Sequence, residues 1–293
     1  MKNLLDIINE KLKIRKPIKH NKDKIIVKDK TELRKVILNE LDKYGEYLDL
    51  THIDVSGVTD MSSLFDYTND KFKTIKSINI TGWDVSNVET ASSLFEDLYE
   101  VEEIIGFGDL QFVKNTSFDN CFSGCHNLSY IENIENLKIY PSCKHVSFMF
   151  SLCDNIDELD LNKWDVSNIK WFSGMFMTNK LKKLYIDKWN MANAYSCSNM
   201  FYGCKNLMSL DLSNWDISSI EAIDKMFAFC ENLSSIGNIK KWDISNCKDY
   251  SYLFYNCKNL TLDVTNWLFD DNAKKRSMFG GTNRKKLIRP NLR

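Results

Sequence analysis

The chain has almost no net charge: 39 Lys and Arg stand against 40 Asp and Glu, giving −1. A balance this even provides no bulk attraction for nucleic acid or for an anionic membrane surface. No apolar run approaches the about 18 residues that a membrane-spanning helix needs. The stretch Met1–Leu12 has Asp6 and Glu10 inside its apolar pattern and no small-residue cleavage site, so it does not read as a secretory signal. The expectation is a cytoplasmic or virion-associated protein rather than a secreted one. Histidine is scarce, with His20, His52, His126 and His145 only. There is no phosphate-binding glycine loop, no G-x-S-x-G, no H-E-x-x-H and no EF-hand loop, so an enzyme has no support. No cofactor is called for.

What the chain has in quantity is repetition. Trp83–Phe95 reads W-D-V-S-N-V-E-T-A-S-S-L-F, and Trp164–Phe176, Trp215–Phe227 and Trp242–Phe254 repeat its pattern. Anchoring on the closing phenylalanine gives nine units, at Phe65, Phe95, Phe122, Phe150, Phe176, Phe201, Phe227, Phe254 and Phe279. Their spacing of 25 to 30 residues is that of a solenoid, in which each unit buries its apolar side against its neighbours.

The same register interprets the nine cysteines. Cys125, Cys153, Cys204, Cys230 and Cys257 each stand three residues after a unit phenylalanine. Cys121, Cys143, Cys197 and Cys247 take slots that are Met, Val or Ile in other units. All therefore read as small buried hydrophobes in a reducing environment rather than as disulfides. The one conceivable zinc set, Cys121, Cys125, His126, Cys143 and His145, mixes core-facing with water-facing slots and does not read as a site. Asp84, Asp165, Asp216 and Asp243 follow the tryptophans and are each followed two residues later by serine. That pattern suits turns closed by the side chain on local backbone better than a calcium ladder.

Each unit opens with an apolar-polar-apolar run, such as Leu159-Asp160-Leu161 or Leu184-Tyr185-Ile186, which predicts a short strand with one face buried. Apolar residues then recur every three, as in Ile217, Ile220, Ile223 and Met226, which suits a short helix or a stack of 3₁₀-like turns. Units 3 and 4 depart, with Leu110 and Lys138 in the tryptophan slot; a bulge or altered curvature is expected there. Ahead of the repeats, Leu5, Ile8 and Leu12 suggest a first helix, and Ile25–Val27 a strand. Leu33, Ile37 and Leu41 suggest a second helix, N-capped by Thr31 and stopped by Gly45. The expected organisation is a helical N-terminal cap over residues 1–47, a nine-unit solenoid over 48–279 and a basic tail over 280–293.

The W-D-V-S-N core followed by C-x-N-L (Cys204–Leu207, Cys257–Leu260) and L-D-L-S-x-W (Leu210–Trp215) resembles the BspA-like leucine-rich repeat family, the 25-residue repeats of mycoplasma lipoproteins and gut bacteria. Similar repeats occur in phages. The resemblance implies a right-handed α/β repeat solenoid with one parallel β-sheet. It also implies surface proteins that bind other proteins.

The tryptophans Trp83, Trp164, Trp189, Trp215, Trp242 and Trp267 recur once per unit and read as a packed spine. Trp171 is off that register, in a slot that is Asp60 and Asp249 elsewhere, and is expected to be exposed. The polar strand positions should stack into one acidic face with Tyr185 at its centre. The function expected is a non-catalytic scaffold binding a protein partner through Asp160, Asn162, Tyr185, Asp187, Asp211 and Trp171. The alternative is a structural part of a virion or cell-surface assembly.

Overall fold

The computed structural model describes residues 24–65 and 68–288. The expected first helix lies outside the described residues, as do the basic residues Lys11, Lys13, Arg15, Lys16 and Lys19 near the N-terminus and Arg289, Pro290 and Arg293. Strand β1 (Ile25–Ile26) pairs in parallel with β3 (Ile53–Asp54). Helix α1 (Lys30–Tyr44) buries Leu33, Ile37 and Leu41. Its N-cap is Asp29, whose side chain accepts the Glu32 N–H, rather than Thr31. The Asp29 backbone is extended, as a cap requires. Gly45, with φ of +77°, ends the helix. The helix is tied to the first coil by Lys30 Nζ to Asp60 at 2.6 Å and by Arg34 Nε to the Leu64 carbonyl at 3.1 Å.

The strand ladder is parallel throughout and comes in sections. Strands β2 (Tyr47–Asp49), β4 (Ser77–Asn79), β5 (Glu103–Ile105) and β6 (Tyr130–Ile131) form one sheet in that order. Strand β7 (Glu158–Asp160) pairs with β8 (Lys183–Tyr185), and β9 (Leu262–Asp263) with β10 (Leu287–Ile288). The single continuous sheet is therefore replaced by segments. Strands of two or three residues exchange few bonds, and side chains take over some of them. The Lys188 N–H donates to Asn162 Oδ1 at 3.0 Å, and the Asn238 N–H to Ser213 Oγ at 2.7 Å. The interruption between β6 and β7 falls at the divergent units. There Leu110 is buried in the tryptophan slot, and the extra ring comes from Phe107, three residues earlier, 4.9 Å from Phe122 and edge-on to it. Past Phe279 the chain adds another rung through β10.

The three-spaced apolar run is not helical. Single turns close from i+3 to i, such as Ile220 N–H to Ile217 O and Met226 N–H to Ile223 O. Between them the chain runs extended and bonds to the next coil. This second parallel ladder passes through Ser117, His145, Trp171, Ser196, Ala222, Asp249 and Lys274. Because neighbouring coils already satisfy these N–H groups, a helix would gain no further bonds.

The core is the predicted aromatic spine. Adjacent unit phenylalanines stack with centroids 5.3–5.8 Å apart and planes within 23°. Phe65 through Phe254 are fully buried. Every register tryptophan is also buried. Each donates its indole N–H to a backbone carbonyl of the preceding coil at 2.8–3.2 Å.

Each phenylalanine is framed by a left-handed residue two positions before it and, from Phe95 on, two positions after it. The leading set runs Ser63, Ser93, Asn120, Phe148, Gly174, Asn199, Lys225, Tyr252 and Ser277. The trailing set runs Asp97, Gly124, Leu152, Thr178, Gly203, Phe229, Asn256 and Gly281. These bends let alternate residues bond to the next coil: Asn199 N–H to Asp224 O, Phe201 N–H to Met226 O and Gly203 N–H to Ala228 O, all at 2.8–2.9 Å.

Candidate functional site

On the strand face, Asp160 lies opposite Tyr185 and Glu158 opposite Lys183. Leu159 and Leu184 point inward, so both flanking residues of each strand face water. Lys183 Nζ reaches Glu158 at 2.9 Å, and next to it Lys182 reaches Asp157 at 2.9 Å. The expected acidic strip is thus electrically mixed: the L-D-L pattern names one outward residue of each strand and omits its lysine neighbours.

The remaining acids of the strip are engaged in turns. Asp160 accepts the Asn162 N–H at 3.1 Å, and Asp211 accepts the Ser213 N–H at 3.0 Å and its hydroxyl at 2.6 Å. The Ser213 hydroxyl and N–H hold the Asp211 carboxyl below its ordinary range. Asn162 donates to Asp187 at 2.8 Å across adjacent coils. Asp160, Asn162 and Asp187 therefore form one hydrogen-bonded group, with Tyr185, 39% exposed, opposite Asp160 on the neighbouring strand.

Trp171 is not part of that group. It sits in the second ladder, paired with His145 and Ser196. It is half-buried rather than exposed, because its ring lies between His145 (6.1 Å, near parallel) and Tyr195 (4.7 Å, edge-on). His145 stands 3.7 Å from Asp119, and His126 is 3.0 Å from Asp154. Among the described residues, no group of three His, Cys, Asp or Glu side chains is placed to hold a metal ion.

The aspartates after the tryptophans close turns as expected: Asp84, Asp165, Asp216 and Asp243 each accept the N–H two residues on at 2.9–3.1 Å. The cysteines are all free and buried. Burial pushes the Cys143, Cys204 and Cys257 thiols up to about 12.

A second surface feature escaped the sequence reading. Beside the unit phenylalanines of the later coils, Met177, Tyr202, Phe229, Tyr252 and Tyr255 line a groove of about 390 Å³ with Lys225 at its rim. The rings meet edge to face, Tyr202 to Phe229 at 5.3 Å, Phe229 to Tyr255 at 5.4 Å and Tyr252 to Tyr255 at 5.5 Å. The signal was present in the repeat alignment. Tyr252, Lys225 and Phe229 occupy slots that are Ser, Asn or Gly in several other units.

Among the described residues, no helix is long and apolar enough to cross a membrane. No curated protein matches the sequence significantly. Among solved structures, the chain is similar to a leucine-rich repeat protein of Bacteroides ovatus (17% identity, 74% of this chain, TM-score 0.46), and spans about half of that protein's length, 54%. It is also similar to a leucine-rich repeat protein of Eubacterium ventriosum (14% identity, 82% of this chain and 84% of that one, TM-score 0.38). A third likeness is to a leucine-rich cell surface protein of Faecalibacterium prausnitzii (16% identity, 75% and 67%, TM-score 0.35). These likenesses are of repeat type and carry nothing about ligands. The sequence matches the family described as Mycoplasma protein of unknown function, DUF285, over residues 40–118, 99–209 and 177–288. The matches overlap from end to end of the repeats, and the chain belongs to that family.

Proposed function

We propose that the protein is a non-catalytic scaffold that binds a protein partner through the solvent face of the strand ladder, centred on Asp160, Asn162, Tyr185, Asp187 and Asp211, with Trp171 as an outlying contact. The observation that carries this reading is the β7–β8 face. Its polar groups are fixed by cross-coil hydrogen bonds and ion pairs, and an exposed tyrosine stands among them. Such preorganised faces cost little ordering on binding. In this reading the coil is right-handed and of the BspA type. Residues 1–47 cap one end, 48–279 form the binding body and 280–293 the tail.

The test is affinity capture from the native host with wild-type protein and with Asp160→Lys, Asp187→Lys and Asp211→Lys combined. Loss of a captured protein with the variant supports the face. Equal capture refutes it. Recovery only with sedimenting particles favours the assembly-component reading.

A further inference from the structure

We propose that the aromatic groove beside the unit phenylalanines is a second docking site, which takes a short acidic segment of another protein carrying an aromatic or aliphatic anchor residue. The proposal is independent of the strand face.

The first support is where the chain places bulky residues. Left-handed backbone suits Gly, Asn and Asp, and is rare for bulky side chains. At the two left-handed slots of each coil, Ser63, Ser93, Asn120, Asp97 and Gly124 serve in the first three units, and unit 4 already places Phe148 and Leu152 there. Over the groove these slots hold Lys225, Phe229 and Tyr252, with φ of 54°, 63° and 59°. Phe229 and Tyr252 are half-buried there, against each other's neighbours rather than in the core. Phe148 and Leu152 do not line the groove, whereas Phe229 and Tyr252 both line it and share Tyr255 as a ring neighbour, and unfavourable backbone gathered into one groove points to a functional constraint.

The second support is charge. The groove continues past Tyr202 and Phe229 into a depression of about 490 Å³ that includes Lys180, which pairs with Asp154 at 3.6 Å, and Lys205, which acts on Glu231 at longer range. No carboxylate lines either part, in a chain with 40 acidic residues. Arg276 lies over the Tyr252 ring at 5.7 Å. Among the described residues, Lys205, Lys225 and Arg276 make no ion pair. An apolar floor with unpaired cations at its rim complements an apolar side chain flanked by carboxylates. The chain's own basic N-terminal segment has the wrong sign for this seat.

Ring geometry argues for a side chain over a nucleobase. Base stacking needs open, parallel aromatic faces. Here the interplanar angles are 65°, 69° and 81°, so ring faces are covered by neighbouring edges and a cleft remains between them.

The experiment is fluorescence anisotropy on the full chain with a labelled peptide in which Glu and Asp flank a Trp-Leu pair, and with its counterpart carrying Lys for every acid. The acidic peptide is expected to bind and the Lys peptide not to. Lys225→Glu with Arg276→Glu should weaken binding by about tenfold or more, as should Phe229→Asn with Tyr252→Asn. The asparagine pair should leave the thermal midpoint unchanged or raise it, because Asn tolerates left-handed backbone. Three results would each overturn the proposal: wild-type affinity in the charge-reversed variant, equal binding of the Lys peptide, or tighter binding of a single-stranded oligonucleotide or an acidic polysaccharide at this groove.

Discussion

If the core is a one-dimensional stack, energetic coupling between its rings should stop at the next coil. Phe201 is fully buried, with ring partners Phe176 at 5.7 Å and Phe227 at 5.3 Å. Phe201→Leu keeps an apolar side chain and removes both ring contacts. At about 0.5–1.5 kcal/mol per pair, the loss is about 1–3 kcal/mol before any cavity contribution. Phe227→Leu should behave alike, with Phe254 as its second partner at 5.6 Å. The double variant Phe201→Leu/Phe227→Leu loses their shared contact once, so the cycle should return a coupling of about 0.5–1.5 kcal/mol. Phe201 and Phe254 belong to the same core but touch through Phe227 only. That double variant should be additive to within about 0.5 kcal/mol. Urea unfolding followed by tryptophan fluorescence and far-UV circular dichroism gives the energies where the two probes coincide and the slope is unchanged. Equal coupling for the adjacent and the separated pair would refute the stack and describe an ordinary globular core.

Two further outcomes follow from the same structure. The nine thiols, all buried and free, should be silent to a thiol reagent in the native state and all react once the chain is unfolded in urea; fast native labelling of any of them would contradict the packing. The turn aspartates set the acid limit. Hydrogen bonds from Ser56 and then Lys24 hold Asp54 at about 2, and those from Thr265 and then Lys240 hold Asp263 at about 2. Asp84, Asp216 and Asp243 are lowered chiefly by Ser86, Ser218 and Ser245. A folded value below the unfolded one, about 3.9, contributes stability that is complete above the unfolded value and disappears as pH falls through the folded one. The thermal midpoint should therefore be level from about pH 7 to 5 and fall between about 4 and 2. Asp84→Asn, Asp216→Asn and Asp243→Asn together should flatten that fall, and a decline already complete by about pH 5 would refute the assignment.

The parts of the fold legible in the sequence were those where one residue type meets the same need in every coil. Phenylalanine recurs because each ring lies on the one before it, tryptophan because each indole N–H bonds the backbone of the preceding coil, and the Asp-x-Ser pairs because each closes the same turn. What stayed hidden depends on backbone bonds between coils. Ile217, Ile220, Ile223 and Met226 have a spacing that a 3₁₀ helix would share. Only the bonds from Cys197 to Ala222 and from Ile223 to Asp249 show that the chain there is extended and paired. Phe229 and Tyr252 have no left-handed propensity, so no reading of residue type finds their conformation; the hydrogen bonds of Phe229 to Tyr255 O and Tyr252 to Arg276 O impose it. Alternation places Asp160 and Tyr185 outward on β7 and β8, as they are, but it makes a strand of Leu210–Leu212 where none forms, and it misjudges the charge because Lys183 is outward for the same reason that Asp160 is.

The cysteines show how a slot can be read correctly and still incompletely. Burial alone would accept Ala or Val three residues after each phenylalanine, and Leu98 does fill that slot in unit 2. But Cys125, Cys153, Cys204, Cys230 and Cys257 each point Sγ at the phenylalanine carbonyl of the preceding coil, at 2.9–3.1 Å. One thiol hydrogen bond is weak and would explain nothing by itself. Unit 5 supplies the control. There the slot holds Asn179, only 1% exposed, and its amide donates to the Phe150 carbonyl at 2.9 Å. A residue as costly to bury as asparagine is tolerated where it makes the bond the thiols make. The slot therefore selects for a compact donor, and cysteine is the donor that costs least to desolvate. The phenylalanine carbonyl, already bonded within its own coil as Phe201 is to the Cys204 N–H, uses its second lone pair to hold the next coil in register.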